Sequence, residues 1–306
     1  MTDRMSVTVR APAKINLRLA VGPPREDGFH PLSTTYQAIS LYDDVTVTEA
    51  DDWSVVVEPT GDVDCSQAPQ DETNIAVRAG RLLLAHHRLE RAAAIRIGKG
   101  IPVAGGLAGG SADAAATLVA VDRLWNLGTS DDDLLALAAE LGSDVPFALV
   151  GGTADGTGRG EIVTPVDDPG TWWWVVVPNE TGMATPQVYR EFDRLNPDLR
   201  SHVHLRVHGM DGALRSKDYR QLGHALVNDL QEAALSLRPD LQQTEEDLVE
   251  AGGFRLLSGS GPTFLGLAGT QEKAHLIRET LLDKGYRGVQ VATGPVAGAH
   301  VVEYVQ

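Results

Sequence analysis

Four glycines within six positions, Gly105, Gly106, Gly109 and Gly110, run straight into a helix-forming stretch and constrain this chain more than any other feature. The segment from Ile101 to Trp125 reads as a loop that opens directly into a helix. Residues without Cβ let backbone take positive φ and approach a ligand closely. Ala112 and Ala114 to Ala116 favour helix, and Ser111 or Asp113 can cap its start. Ala114, Leu118, Val121 and Trp125 fall on one buried face. Free N–H groups and the positive dipole end at such a helix start suit an anion. Two readings follow: a phosphate cradle, or a plain tight turn before a core helix. The loop is not a P-loop, because no Gly-Lys-Ser/Thr closes it. Paired glycines rule out the dinucleotide fingerprint, and Asp113 stands where a nucleophile elbow needs glycine.

The surrounding chain narrows the choice. Its 306 residues suit two domains. With 42% hydrophobic and 22% charged residues it has the composition of a globular protein and not of a disordered one. A net charge of −16 argues against a nucleic-acid or anionic-membrane partner. A phosphate ligand would have to be held by local groups. The single cysteine, Cys65, excludes an internal disulfide and fits a reducing, cytoplasmic setting. Its polar surroundings read as an ordinary loop. No signal peptide or membrane-length apolar run is visible, and Trp172 to Val177 reads as a buried strand closed by Pro178.

In chain order, Val7–Val9 and Ile15–Val21 read as strands. Lys14, Asn16 and Arg18 share one face of the second. They can point together into a site or form a solvated edge. Pro23 to Pro31 is a loop that exposes Phe29 beside His30. Strands over 36–40, 44–49 and 54–58 complete a β-rich lobe. A helix is expected over 74–90, a strand over 93–97 ending at Lys99, and a Ser130-capped helix over 131–141. Asp144 then lies on a short loop beside Pro146, as a helix cap or a functional carboxylate. The glycine-rich 151–160 reads as a crossing between lobes. The second half alternates strands and helices, with a second glycine turn at Ser258-Gly259-Ser260-Gly261-Pro262-Thr263. Residues 195–217 read as irregular. His202, His204 and His208 lack the carboxylate or cysteine pattern of a metal site.

Three stretches then line up: Pro12-Ala13-Lys14-Ile15-Asn16-Leu17, the glycine loop from Pro102, and the Ser-Gly-Ser-Gly-Pro turn. Their order and spacing resemble the GHMP kinase superfamily, over Ala11 to Thr263. Asp27-Gly28-Phe29-His30 and Gly142-Ser143-Asp144-Val145-Pro146-Phe147 are similar to the 4-diphosphocytidyl-2-C-methyl-D-erythritol kinase family within it. The resemblance implies an α+β, two-domain GHMP kinase fold. Its N-terminal lobe, residues 1–160, would have ribosomal-protein-S5-like character and carry the phosphate loop. The C-terminal α/β lobe would span 161–306, with the site in the cleft between.

The implied reaction moves the γ-phosphate of ATP, with Mg²⁺, to the methylerythritol 2-hydroxyl in the non-mevalonate isoprenoid route. By the same matching, Asp144 is the catalytic base and Lys14 the catalytic lysine. Pro102, Val103, Ala104, Gly105, Gly106, Leu107, Ala108, Gly109, Gly110, Ser111 and Ala112 form the ATP loop, with Asn74 near adenine. Asn16, Phe29, His30, Lys99 and Tyr189 line the cytidine and methylerythritol side. Phe29 stands where the family pattern has Tyr, so ring packing survives without a hydroxyl. Ligands of the metal are not assigned, and the assembly is expected to be a monomer or weak homodimer. Competing readings are a mevalonate, homoserine or galactose kinase, or a GHMP-like fold that binds a metabolite without turnover.

Overall fold

The computed structural model describes residues 5–103, 105–179, 181–198 and 209–305. Two sheets organise them. The first is built on two long strands, β1 (Ser6–Val21) and β2 (Leu32–Ala50), which pair antiparallel along most of their lengths. β3 (Ser54–Pro59), helix α1 (Ile75–His86) and β4 (Ala92–Lys99) follow. Then come α2 (Gly109–Leu124), α3 (Asp131–Leu141), α4 (Val145–Val150) and the hairpin of β5 (Thr153–Thr157) and β6 (Ile162–Pro165). The second sheet takes β7 (Trp172–Val177) from the next stretch of chain. After it run α5 (Thr185–Leu195), α6 (Met210–Ser216), α7 (Tyr219–Ala225), the two-residue β8 (Val227–Asn228), α8 (Gln231–Leu237) and α9 (Leu241–Glu250). The chain continues through β9 (Phe254–Leu257), β10 (Phe264–Ala268), α10 (Gln271–Asp283), β11 (Gln290–Gly294) and β12 (His300–Val305).

The first sheet has the order β12-β1-β2-β4-β3, with β5 also on β2, β6 on β5 and β8 on β1. The second has the order β11-β7-β10-β9, with every pair antiparallel. Helix α2 packs on β1 and β2 and is flanked by α1 and α4. Its alanines make this close approach possible: Ala112, Ala114, Ala115 and Ala116 are all fully buried. The core runs without a break from this helix to Trp174, Val176 and Leu265 of the second sheet.

β1 is one 16-residue strand where the sequence suggests two. Pro12, which lacks a ladder donor, is accommodated by a register shift between Pro12 and Ala13, and a second shift lies between Asn16 and Arg18. Lys14, Asn16 and Arg18 are buried, so the solvated-edge reading fails. The reason is topological: β2 pairs along one edge of this stretch, while on the other the Leu107 carbonyl takes the Lys14 N–H and β8 pairs with Arg18 and Leu19. Residues 151–160 are not only a crossing, since β5 pairs with β2 within them. A division at 160/161 would cut the β5–β6 hairpin, and β8 and β12 return to the first sheet. In the stretch read as irregular, residues 210–216 are helical, and α8 and β12 also escaped the sequence reading. His202, His204 and His208 lie outside the described residues.

A polar knot locks the two sheets together. Asp168 accepts hydrogen bonds from Gln37 Nε2 (2.8 Å), Thr153 Oγ1 (2.7 Å) and Trp172 Nε1 (2.9 Å). Gln37 Oε1 in turn accepts from Trp174 Nε1 at 2.9 Å. Three strands, β2 and β5 of the first sheet and β7 of the second, are thereby joined through one carboxylate and one amide. Removing the shared acceptor strands several buried donors, so Asp168→Ala should lower unfolding stability by about 1–3 kcal/mol. A fall in the urea midpoint at constant slope would show it; an unchanged midpoint would refute the linking role.

Candidate active site

Helix α2 begins on Gly109, three residues earlier than a Ser111 cap would allow. Its N-cap residue is Ala108, in the left-handed region at φ 58°, and no side chain caps it. Ser111 and Asp113 lie inside the helix instead. The first-turn N–H groups therefore have no side-chain acceptor and remain available to an anion. Gly109 and Gly110 line a cavity of about 820 Å³.

The two glycine turns build the cavity floor together. Gly106 has φ +78°, and a Cβ there would overlap the Ser258 carbonyl and crowd that of Gly261 at 3.1 Å. Ser258 Oγ donates to the Gly106 carbonyl at 3.0 Å. Asn228 Nδ2 holds the second turn by donating to the carbonyls of Leu257 (2.8 Å) and Gly259 (2.7 Å). The loop is also tied to the first sheet, as Lys14 N donates to the Leu107 carbonyl at 3.1 Å.

Lys14 and Asp144 meet here. The Lys14 ammonium lies 3.6 Å from Asp144 Oδ2. It also donates to Asn16 Oδ1 at 2.8 Å, and Asn16 Nδ2 donates to Thr34 Oγ1 at 2.8 Å. Thr34 Oγ1 donates onward to the Arg18 carbonyl at 2.7 Å, which fixes the amide's orientation. Asp144 occupies the N-cap position of α4, yet its side chain makes no capping hydrogen bond. Its carboxylate is turned toward the cavity and Lys14, not toward the helix. Burial raises the Tyr36 hydroxyl well above its usual value, and the charge of Asp144 adds to this. Burial raises Tyr189 in the same way, again with help from Asp144. Both phenols are therefore neutral donors beside a carboxylate.

His30 and Tyr189 stack at the other end, with ring centroids 5.0 Å apart. His30 Nδ1 lies 2.8 Å from the Gly22 carbonyl, so that nitrogen carries the proton. Its Nε2 lies on the other side, 3.5 Å from Asp193 Oδ2. Phe29 is 52% exposed at the rim, and the Arg159 guanidinium lies 5.2 Å over its ring.

Of the residues singled out from sequence, Lys14, Asn16, Phe29, His30, Asn74, Lys99, Asp144 and Tyr189 all line this one cavity. So do Pro102, Val103, Gly105, Gly106, Ala108, Gly109 and Gly110. Leu107 and Ala112 are fully buried behind it, Ser111 follows in the first helical turn, and Ala104 lies outside the described residues. Asn74 caps α1: its Oδ1 accepts from Ala76 N, and its Nδ2 donates to the Pro69 carbonyl. Lys99 departs from expectation. Its ammonium is buried between Asp43 Oδ2 (2.5 Å) and Asp113 Oδ2 (2.8 Å), at the end of the glycine loop and not among the cytidine-side residues. Sequence reasoning missed Arg159, Arg190 and Asp193, which also line the cavity. Arg159 sits between two glycines in the stretch read as a crossing, and that placement was its only signal.

The comparisons agree with this geometry. Residues 74–152 match the model of the GHMP kinases N terminal domain, and residues 211–287 match that of the GHMP kinases C terminal. A 4-diphosphocytidyl-2-C-methyl-D-erythritol kinase from Nocardioides sp. is 58% identical, covering 97% of this chain and 100% of the relative. The enzyme of the same name from Thermobifida fusca is 48% identical, covering 99% and 100%. The chain belongs to the 4-diphosphocytidyl-2-C-methyl-D-erythritol kinase family of GHMP kinases. A crystal structure of a 4-(cytidine 5'-diphospho)-2C-methyl-D-erythritol kinase superposes with a TM-score of 0.75 at 32% identity, covering 94% of this chain and 98% of the other. A homoserine kinase from Cytophaga hutchinsonii has a TM-score of 0.74 at 20% identity, covering 99% of each chain, which shows the shared fold alone. The kinase family thus accounts for the bare helix start, the paired glycine turns and the lysine–carboxylate pair in one cavity.

The tight contact between the turns makes a direct test. Gly106→Ala should cost about 1–3 kcal/mol of stability through overpacking and weaken ATP binding. Thermal melting and nucleotide titration would read both, and a variant that melts and binds like wild type would refute the close-contact role.

Proposed function

We propose that this kinase transfers the γ-phosphate of ATP to the 2-hydroxyl of 4-diphosphocytidyl-2-C-methyl-D-erythritol, releasing ADP and the 2-phosphate. The observation that carries the mechanism is the Lys14–Asp144 pair facing the uncapped start of α2 across one cavity. The named relatives support the acceptor's identity. The reaction belongs to the non-mevalonate isoprenoid route.

Phosphoryl transfer depends chiefly on positioning and on stabilising charge. The N–H groups at the start of α2 and along its loop hold the donor phosphates. Asp144 takes the proton of the 2-hydroxyl as the oxygen attacks phosphorus. Lys14, oriented by Asn16, stands beside the developing negative charge. Ser143 and Asp144 line the cavity and would help hold a divalent ion that enters with the nucleotide. Among the described residues no group of three or more metal-binding side chains forms, so these donors fit a shared ion better than a protein-only cage. The ion neutralises charge on the transferred group. The same reading takes it to be Mg²⁺, the compartment to be the cytoplasm, and the assembly to be a monomer or weak homodimer.

At the acceptor end, Tyr189 offers a ring face to the cytosine. His30 lines the cavity beside Tyr189, and its Nε2 is placed to hydrogen-bond the cytosine edge. Asn74 would act at the adenine end through the loop it anchors at Pro69.

ADP release with Mg-ATP should occur with the cytidyl acceptor and not with mevalonate, homoserine or galactose. Turnover with one of those instead would overturn the acceptor. Asp144→Asn should lower kcat by about 10²–10⁴-fold with ATP binding retained. Near-wild-type kcat would remove Asp144 from the role of base.

A further inference from the structure

Three buried charges beneath the phosphate loop are not used by the chemistry above. Asp43, on β2, is fully buried. Its Oδ1 accepts from the backbone N–H groups of Gly100 (2.8 Å) and Ile101 (2.9 Å), where the glycine loop begins. Its Oδ2 accepts from the Lys99 ammonium at 2.5 Å. Lys99 also donates to Asp113 Oδ2 at 2.8 Å, in α2, beyond the loop's far end. One carboxylate and one ammonium therefore tie both ends of the loop to the first sheet. A Cβ built on Gly109 would stand 3.0 Å from the Lys99 nitrogen. The cation thus lies directly against the first residue of the helix whose N–H groups face the cavity.

We infer that Lys99, clamped by Asp43 and Asp113, is a positioning residue for the donor phosphates and not a contact to the acceptor. This rests on the reading that the glycine loop binds ATP phosphates. Two effects work together. The clamp fixes where the loop leaves β4 and where it enters α2, so the intervening N–H groups converge on one place. The ammonium also cancels carboxylate charge that would otherwise face the incoming phosphates at short range. Burial lowers the affinity of Lys99 for its proton, but the two carboxylates outweigh this and hold it charged. Burial pushes the Asp113 carboxyl well up despite Lys99. Asp113 Oδ1 is buried without a hydrogen-bond partner among the described residues. Loss of the lysine would leave this carboxyl and Asp43 uncompensated under the phosphate site.

The test is Lys99→Met in the full chain, read by titration with Mg-ATP and by steady-state kinetics in both substrates. The KM for ATP should rise at least about tenfold, while the KM for the cytidyl acceptor stays within about twofold. Should that variant fail to fold, Asp43→Asn weakens the hold on Lys99 but keeps an acceptor for Gly100 and Ile101. It should raise the KM for ATP about threefold or more, again with the acceptor KM unmoved. A rise confined to the acceptor KM would overturn the inference. So would a lowered melting temperature with both KM values unchanged, which a merely structural clamp would give. Failure of wild type itself to bind Mg-ATP would instead remove the kinase reading on which the clamp depends.

Discussion

The structure depends on a helix that starts without a cap. A side-chain cap at the head of α2 would satisfy its first N–H groups and occupy the place where a phosphate belongs. Instead the chain enters through Ala108 in a left-handed conformation, a costly choice for a residue with a Cβ. Everything around the helix start compensates for that choice. Buried alanines press α2 onto β1 and β2, and a second glycine turn packs against the first. Asp43 meanwhile takes up the N–H groups that the loop leaves free at its entrance. The helix is held from behind and from both sides, so its open end needs no protein partner.

The same logic explains how a chain of net charge −16 can hold polyphosphates. Its long-range field repels them, so attraction has to come from groups within a few ångströms. Backbone dipoles do this without adding titratable charge. Both lysines at the site are matched to carboxylates, Lys14 to Asp144 and Lys99 to Asp43 and Asp113. Such matching leaves the surface acidic while the cavity keeps its polarity where the substrates need it.

Much of this was legible from residue order. The glycine loop carries a local pattern strong enough to read, whereas Lys14 and Asp144 stand out only through the family resemblance. The limits of β7, of α3 with its Ser130 cap, and of β9 follow from punctuation by proline, serine and glycine. What could not be read depends on contacts distant in sequence. Nothing near Lys14 says that its stretch is buried, since what covers its second edge, the loop at Leu107 and β8, comes from distant parts of the chain. The resemblance put Lys99 on the acceptor side, and its ion pairs could not be read because the partners lie 56 and 14 residues away. Arg159 was hidden because it stands in the turn between β5 and β6, inside a glycine-rich segment that reads only as a connection. The true start of α2 was misjudged because a good capping residue, Ser111, stood nearby and went unused for that purpose.

The pairing of β1 with β12 has a consequence for how the protein comes to be made. Ser6 lies opposite Val305, so the first sheet is finished only by strands separated by almost the whole described chain. A ribosome delivers β1 long before β12, which covers the outer edge of Ser6 to Arg10. Until then that edge presents unpaired backbone able to join a neighbouring chain. The lobes therefore cannot mature one after the other as beads on a string. The emerging N-terminal half has to wait, and protection of its open edge during synthesis becomes part of the biology of this fold.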